Sequence, residues 1–182
     1  MPASAPPSDW LQRWAQLLPA GACVLDLACG SGRHVRWLAA RGCVVTGVDR
    51  DVQALAPLSA IAETVFADLE AGPWPLPGRR FDAVLVTNYL WRPLWPALRA
   101  ALADGGVLIY ETFAQGQEAY GRPSRPEFLL APGELLSATA GLHVLAYEDG
   151  LLDGPLRRVQ RIVAIAPPSG ALALAGACPS GS

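Results

Sequence analysis

The sequence predicts a doubly wound α/β sheet, parallel except for an antiparallel C-terminal hairpin strand. Two observations carry that prediction. Strand and helix signals alternate through residues 23–140, and the last two apolar runs face each other across Asp153-Gly154-Pro155 with no helical pattern between them. Residues 23–41 also set out strand, glycine turn and helix in an order that points backbone N–H groups and a helix N-terminus at a ligand.

Each element has a local reason. Residues 1–8 are rich in Pro, Ala and Ser and read as a disordered leader. Ser8 or Asp9 is placed to cap a helix whose face is Trp10, Trp14 and Leu17, and Pro19 and Gly21 end it. Cys23 to Leu27 is a short buried strand. Gly30 and Gly32 then let the backbone turn sharply. Val35, Leu38 and Ala39 give the next helix its apolar stripe, and Gly42 stops it. Cys43 to Val48 is a second strand, ending at Asp49. Asp51 is placed to cap a short helix that Pro57 interrupts, and Thr64 to Ala67 is a third strand, ending at Asp68. A proline-rich loop, residues 69–80, leads to a fourth strand from Phe81 to Thr87. Pro93 suits a helix start, and Leu94, Leu98 and Leu102 share one face. Asp104-Gly105-Gly106 turns that helix into a fifth strand, Val107 to Tyr110. Residues 111–130 read as a long irregular insert, 132–140 as a helix, and Leu142 to Tyr147 with Val159 to Ile165 as the hairpin. The domain is expected over residues 9–166, with 167–182 a flexible tail.

Composition bounds the function. The chain has 182 residues, 52% hydrophobic and 16% charged, enough for one well-packed domain. Net charge is −2 and all basic side chains except the histidines are arginine, so no global basic field recruits nucleic acid. Cys23, Cys29, Cys43 and Cys178 form no C-x-x-C pair and read as buried free thiols, with no metal site expected. No secretory leader pattern and no apolar run of membrane length is present, which favours a cytoplasmic protein.

The crevice admits two ligand classes. A dinucleotide needs G-x-G-x-x-G/A, and Gly30-Ser31-Gly32-Arg33-His34-Val35 puts valine at the third glycine position. S-adenosylmethionine fits better. Asp26, Asp49 and Asp68 each end a strand, so all three approach the crevice outside the carboxyl ends of the sheet. Asp49 is spaced to hold a ribose diol, Asp68 an adenine amino group, and Asp26 the ammonium of a methionine moiety. His34, in the first turn of the helix, either touches the cofactor or caps.

These stretches resemble the class I S-adenosylmethionine-dependent methyltransferases. Val24-Leu25-Asp26-Leu27-Ala28-Cys29-Gly30-Ser31-Gly32-Arg33 looks like their motif I, and Thr46-Gly47-Val48-Asp49-Arg50 like the acidic second-strand motif. Phe66-Ala67-Asp68-Leu69-Glu70 resembles the third, Phe81 to Tyr89 the fourth, and Leu102 to Glu111 the fifth. The resemblance runs over residues 20–166 and is nearest the small bacterial tellurite-resistance and thiopurine methyltransferase group. It implies that family's fold, with its terminal hairpin. It also implies cofactor contacts at Asp26, Ala28, Gly30 and Gly32 toward the methionine end. Asp49 and Arg50 fall at ribose and adenine, Asp68 and Leu69 at adenine, and Thr87 with Asn88 beside the sulfonium. Ala28 departs from the motif, which carries glycine there.

The acceptor pocket is expected from Asn88 to Trp91 and from residues 111–128, with the insert folding over the site as a lid. Candidate catalytic residues are Asn88, Tyr89, Tyr120 and Arg122. Arg157, Arg158, Gln160 and Arg161 read as edge-strand charge in solvent, one pair of which reaches toward an anionic acceptor in the alternative reading. No base-flipping motif follows strand four and no RNA-binding domain is appended, so a small-molecule acceptor is expected. The competing functions are a non-catalytic S-adenosylmethionine-binding module and an NAD(P)-linked oxidoreductase.

Overall fold

The computed structural model describes residues 5–168. Seven strands are present: β1 (Cys23–Leu27), β2 (Val44–Asp49), β3 (Glu63–Phe66), β4 (Phe81–Thr87), β5 (Leu102–Phe113), β6 (His143–Leu152) and β7 (Arg157–Ile165). They form one sheet in the order β3-β2-β1-β4-β5-β7-β6. Neighbours from β3 through β5 run parallel, and β7 is antiparallel to both β5 and β6. The order reverses between β1 and β4, which opens a crevice at their carboxyl ends. The helices are α1 (Asp9–Trp14), α2 (Arg33–Ala40), α3 (Val52–Leu55), α4 (Trp95–Ala100) and α5 (Glu134–Ala138).

Period-two alternation divides the central strands between two apolar cores. Leu25, Leu27, Val84 and Val86 join one, with Leu94 and Leu98 around α4. Val24, Ala83 and Leu85 join the other, with Trp10, Leu11, Val35 and Leu38 from α1 and α2. The glycine turn is built on left-handed backbone: φ is 53° at Gly30 and 76° at Gly32.

Several sequence expectations change. Leu102 is not helical; it opens β5 opposite Phe81. Glu111 and Thr112 belong to that strand, because β7 pairs with it as far as Phe113 opposite Val159. A charged residue ends the apolar run in sequence, but not the ladder. Ser8, assigned to the loose leader, is buried and accepts the Trp10 N–H to cap α1. Residues 1–4 and 169–182 lie outside the described residues; of the expected loose leader, the Pro6 and Pro7 carbonyls accept from Arg33 and Gln12. Cys23 is exposed, while Cys29 and Cys43 are buried free thiols as expected, and Cys178 lies outside the described residues.

The arginine-rich strand is the largest change. β6, not β7, is the sheet edge. Gln160 is fully buried; its Oε1 accepts the Leu135 N–H and its Nε2 donates to the Ala131 carbonyl, fixing the start of α5. Arg161 is buried against three carboxylates, Asp9, Glu111 and Glu148, with its guanidinium 4.7 Å above the Trp10 ring. These polar side chains hold elements together and are not in solvent.

Candidate active site

A cavity of about 490 Å³ opens at the carboxyl ends of β1, β2, β3 and β4. That volume lies within the range of small-ligand sites. Its first wall is Ala28 from the glycine turn. Asp49 and Arg50 follow from the end of β2, and Ala67, Asp68, Leu69 and Glu70 from beyond β3. The opposite wall is Asn88, Tyr89 and Leu90 after β4, Thr112 and Phe113 at the end of β5, and Pro123 with Phe128 from the insert.

Asp49 is fixed by backbone. Its Oδ2 accepts the Gly30 N–H at 2.7 Å and its Oδ1 accepts the Asp51 N–H at 2.9 Å. Each oxygen keeps a further lone pair for a ligand hydroxyl. Asp68 spends its Oδ1 on the Glu70 and Ala71 N–H groups, which shapes the turn after β3. Ala28 and Asn88 both take positive φ, 54° and 57°, an arrangement that costs an alanine more than an asparagine. Asn88 is held there by its N–H to the Glu111 carbonyl.

Tyr89 is half-buried in the cavity wall. Burial and the nearby Glu70 and Asp68 charges push its phenol above the ordinary tyrosine range, so it stays protonated at neutral pH. Its carbonyl accepts the Tyr110 hydroxyl at 2.8 Å, and Tyr110 stacks on Trp95 with ring centroids 4.9 Å apart. The wall after β4 is thus seated on β5 and α4.

Asp26 does not line the cavity. It lies 1% exposed under the glycine turn, and its Oδ2 has no hydrogen-bond partner. Burial pushes its carboxyl up to about 8, against the pull of Arg33, with Asp49 adding to the rise. His34 Nε2 accepts the Ser8 N–H at 3.2 Å, which leaves the ring proton on Nδ1, 3.9 Å from Asp26 Oδ2. Burial, with Arg33 beside it, holds the imidazole down at about 3, so His34 is neutral. His34 takes neither of the two roles the sequence offers: it does not line the cavity and does not cap α2, but docks the segment before α1. Ser8 also donates to Glu111 Oε1 at 3.2 Å, so one residue ties that segment to α2 and β5.

The remaining predicted residues divide. Gly32 faces the core, where a Cβ would meet the Leu58 side chain. Gly30 and Thr87 are beside the cavity but not among its lining residues, and Thr87 Oγ1 is buried without a partner. Tyr120 is exposed and lines neither this cavity nor its neighbour, which removes the substrate-facing position expected for it. Arg122 lines the neighbouring cavity. Pro123 and Phe128 of the insert line the cavity, and the insert is pinned at both ends. Buried Gln117 accepts the Arg158 N–H at 2.7 Å and donates to the Arg122 carbonyl at 3.4 Å. Arg92 donates to the Glu127 and Leu129 carbonyls and pairs with both oxygens of Glu134. Neither Gln117 nor Arg92 was singled out in sequence, because nothing local marks a side chain whose partners lie about 35–40 residues away.

Comparison with known proteins agrees with this geometry. Residues 24–106 match the family model described as a methyltransferase domain. A trans-aconitate 2-methyltransferase from Paracidovorax citrulli is 37% identical over 126 residues, 63% of this chain and 48% of that protein. A tRNA U34 carboxymethyltransferase from Alcanivorax borkumensis is 32% identical over 130 residues, 61% of this chain and 39% of that protein. The chain thus spans less than half the length of these curated relatives. Among solved structures, TehB from Haemophilus influenzae superposes with a TM-score of 0.75 at 18% identity, over 90% of this chain and 63% of that one. An S-adenosylmethionine-dependent methyltransferase from Methanosarcina mazei gives 0.70 at 15% identity, over 90% of this chain and all of that one. Domain match, strand order and superposition together give this chain the class I methyltransferase fold, similar to that of TehB.

Proposed function

We propose that the protein transfers a methyl group from S-adenosylmethionine to a small-molecule acceptor by in-line displacement. The observation that carries the reading is the meeting of Asp49 and Asp68 with Ala28 and Asn88 in one cavity at the switch point of the sheet. The chain's residues fit that cofactor. Two carboxylates from neighbouring strands suit a diol and an amino group, and a buried carboxylate with an orphaned oxygen lies under the turn at Asp26. A pyrophosphate would instead meet three acidic side chains, Asp49, Asp68 and Glu70, in the same cavity.

When bound, the cofactor supplies a methyl carbon already activated by positive sulfur. The protein's part is alignment and exclusion of water. In this reading Asp49 and Asp68 hold the adenosyl end, with Arg50 and Leu69 beside them. Asn88 and Tyr89 border the reacting region, Tyr89 as a neutral hydrogen-bond donor. Phe113, Pro123 and Phe128 form the apolar wall that keeps water from the acceptor. No side chain in this wall is needed as a strong base for an acceptor that arrives ionised.

The small-molecule acceptor is favoured by the covering insert, which narrows the approach, and by the chain's net charge of −2. No helix among the described residues is long and apolar enough to cross a membrane. We place the protein in the cytoplasm on the sequence reading above. Calorimetry with S-adenosylmethionine, S-adenosylhomocysteine and NAD(P) tests the cofactor: heat with the first two and none with the third is expected. Radiolabelled methyl transfer to a library of thiols, amines, carboxylates and oxyanions tests catalysis. Cofactor binding with no transfer to any of them would favour the non-catalytic module.

A further inference from the structure

A second cavity, about 600 Å³, adjoins the first and is lined by Arg122, Pro123, Ser124, Arg125 and Phe128. Pro123 and Phe128 line both cavities, so the two share a wall. We infer that this outer cavity holds the carboxylate of a small organic anion whose apolar body lies along Pro123 and Phe128 toward the inner cavity. The inference rests on the reading of the inner cavity as the cofactor site and names the acceptor class for it.

Charge is sorted along the two cavities. The inner wall formed by the ends of β2 and β3 carries three acidic groups, Asp49, Asp68 and Glu70, against one cation, Arg50, and is acidic on balance. The charged groups of the outer cavity are the two arginines. A cationic acceptor would be repelled there and an uncharged one would leave both guanidinium groups without use. A carboxylate matches the planar guanidinium fork and can accept two parallel N–H bonds.

The backbone that carries the arginines is tied down on both sides. The Arg122 carbonyl is held by Gln117, and the chain after Arg125 is held by Arg92 through the Glu127 and Leu129 carbonyls. Their charge is also available. Arg122 makes no ion pair among the described residues. Arg125 faces Glu127 at 3.8 Å, with both side chains more than half exposed, a pair too long and too wet to consume the cation. The acceptor is therefore anchored by its anion at the mouth, with an apolar wall between anchor and cofactor. Ser124, between the arginines, supplies a hydroxyl at the same place.

The test uses the full chain saturated with S-adenosylhomocysteine. The probes are benzoate and trans-cinnamate against benzamide and trans-cinnamamide, followed by calorimetry and by ligand-observed NMR. At least one carboxylate should bind at least tenfold more tightly than its amide. The double variant Arg122→Ala/Arg125→Ala should weaken that carboxylate by tenfold or more, while Arg122→Lys/Arg125→Lys keeps part of the affinity. Binding of S-adenosylhomocysteine should stay within twofold in both variants, since neither arginine lines the inner cavity. Equal affinity for acid and amide, no carboxylate binding at 10-millimolar order of concentration, or carboxylate binding unmoved by the double alanine variant would each overturn the inference. So would a short RNA that needs these arginines and displaces the carboxylate. Loss of S-adenosylhomocysteine binding by the unaltered protein would instead count against the cofactor reading, so the two failures are told apart.

Discussion

Asp49 Oδ2 accepts the Gly30 N–H at 2.7 Å, and this bond joins the end of β2 to the turn that follows β1. One carboxylate therefore shapes the loop and faces the cavity at once. Asp49→Ala should weaken S-adenosylhomocysteine by about 1–3 kcal/mol, the scale of a charge-assisted bond with a donor left unpaired. Asp49→Asn, which keeps one acceptor oxygen, should lose less. Calorimetry on the three proteins checks the order, and equal affinities would contradict the placement of the diol.

Asp26 and pH are linked through burial. Burial raises the folded-state value to about 8 from the ordinary 3.8 of an aspartic acid, so the fold prefers the protonated acid. The stability this contributes is complete below the unfolded value and is lost as pH rises through the folded one. Asp26→Asn removes the titration. The stability of Asp26→Asn relative to the native protein should therefore grow between about pH 4 and 8, at up to about 1.4 kcal/mol per unit, and level off above. Urea titrations across that range measure it; a flat difference would show that Asp26 is ionised in the folded protein.

Ala28 sits at φ 54°, where an L-residue with a Cβ is strained. Ala28→Gly should stabilise the fold by about 1 kcal/mol, the relief of left-handed strain outweighing the added freedom of the unfolded chain. Cofactor affinity should be equal or better, because only a methyl leaves the cavity wall. Thermal unfolding with and without S-adenosylhomocysteine reads both effects.

Arg161 neutralises a carboxylate that has little else near it. Glu111 is 1% exposed, with Arg161 Nη1 at 3.4 Å and the Ser8 hydroxyl at 3.2 Å. Arg161→Met should cost about 3 kcal/mol or more, since it strands a buried charge. Adding Glu111→Gln should recover a large part of that loss. Chemical denaturation of the single and double variants gives the comparison; a single variant as stable as the native protein would mean that Glu111 needs no counter-charge.

The fold was legible because its signals are local. Apolar runs, glycine turns and caps recur in order, and each needs only its neighbours to be read. The exceptions are places where pairing at a distance prevails over local pattern. Leu102 has the spacing of a helix face yet pairs with Phe81, and Glu111 breaks an apolar run yet stays in the ladder opposite Arg161. Valine at position 35 argued against a dinucleotide because the usual glycine there allows close packing. The structure makes the close approach from the other side: a Cβ on Gly47 of β2 would lie 3.1 Å from Cys29 Sγ and 3.3 Å from Val35 Cγ2.

By itself the sequence determined the layered α/β fold and its C-terminal hairpin. It also put Asp49, Asp68 and Asn88 at strand ends, since strand length and strand direction place them there. Only the tertiary structure decided which acids face the cavity. Asp26 ends its strand like the others but faces His34, itself docked to Ser8, and its carboxyl is buried under the loop. The tertiary structure also decided that Arg161 is a buried tie and that Arg122 and Arg125 border a second cavity. Burial depends on what packs over a side chain, and the covering residues come from parts of the chain too distant for any local pattern to record.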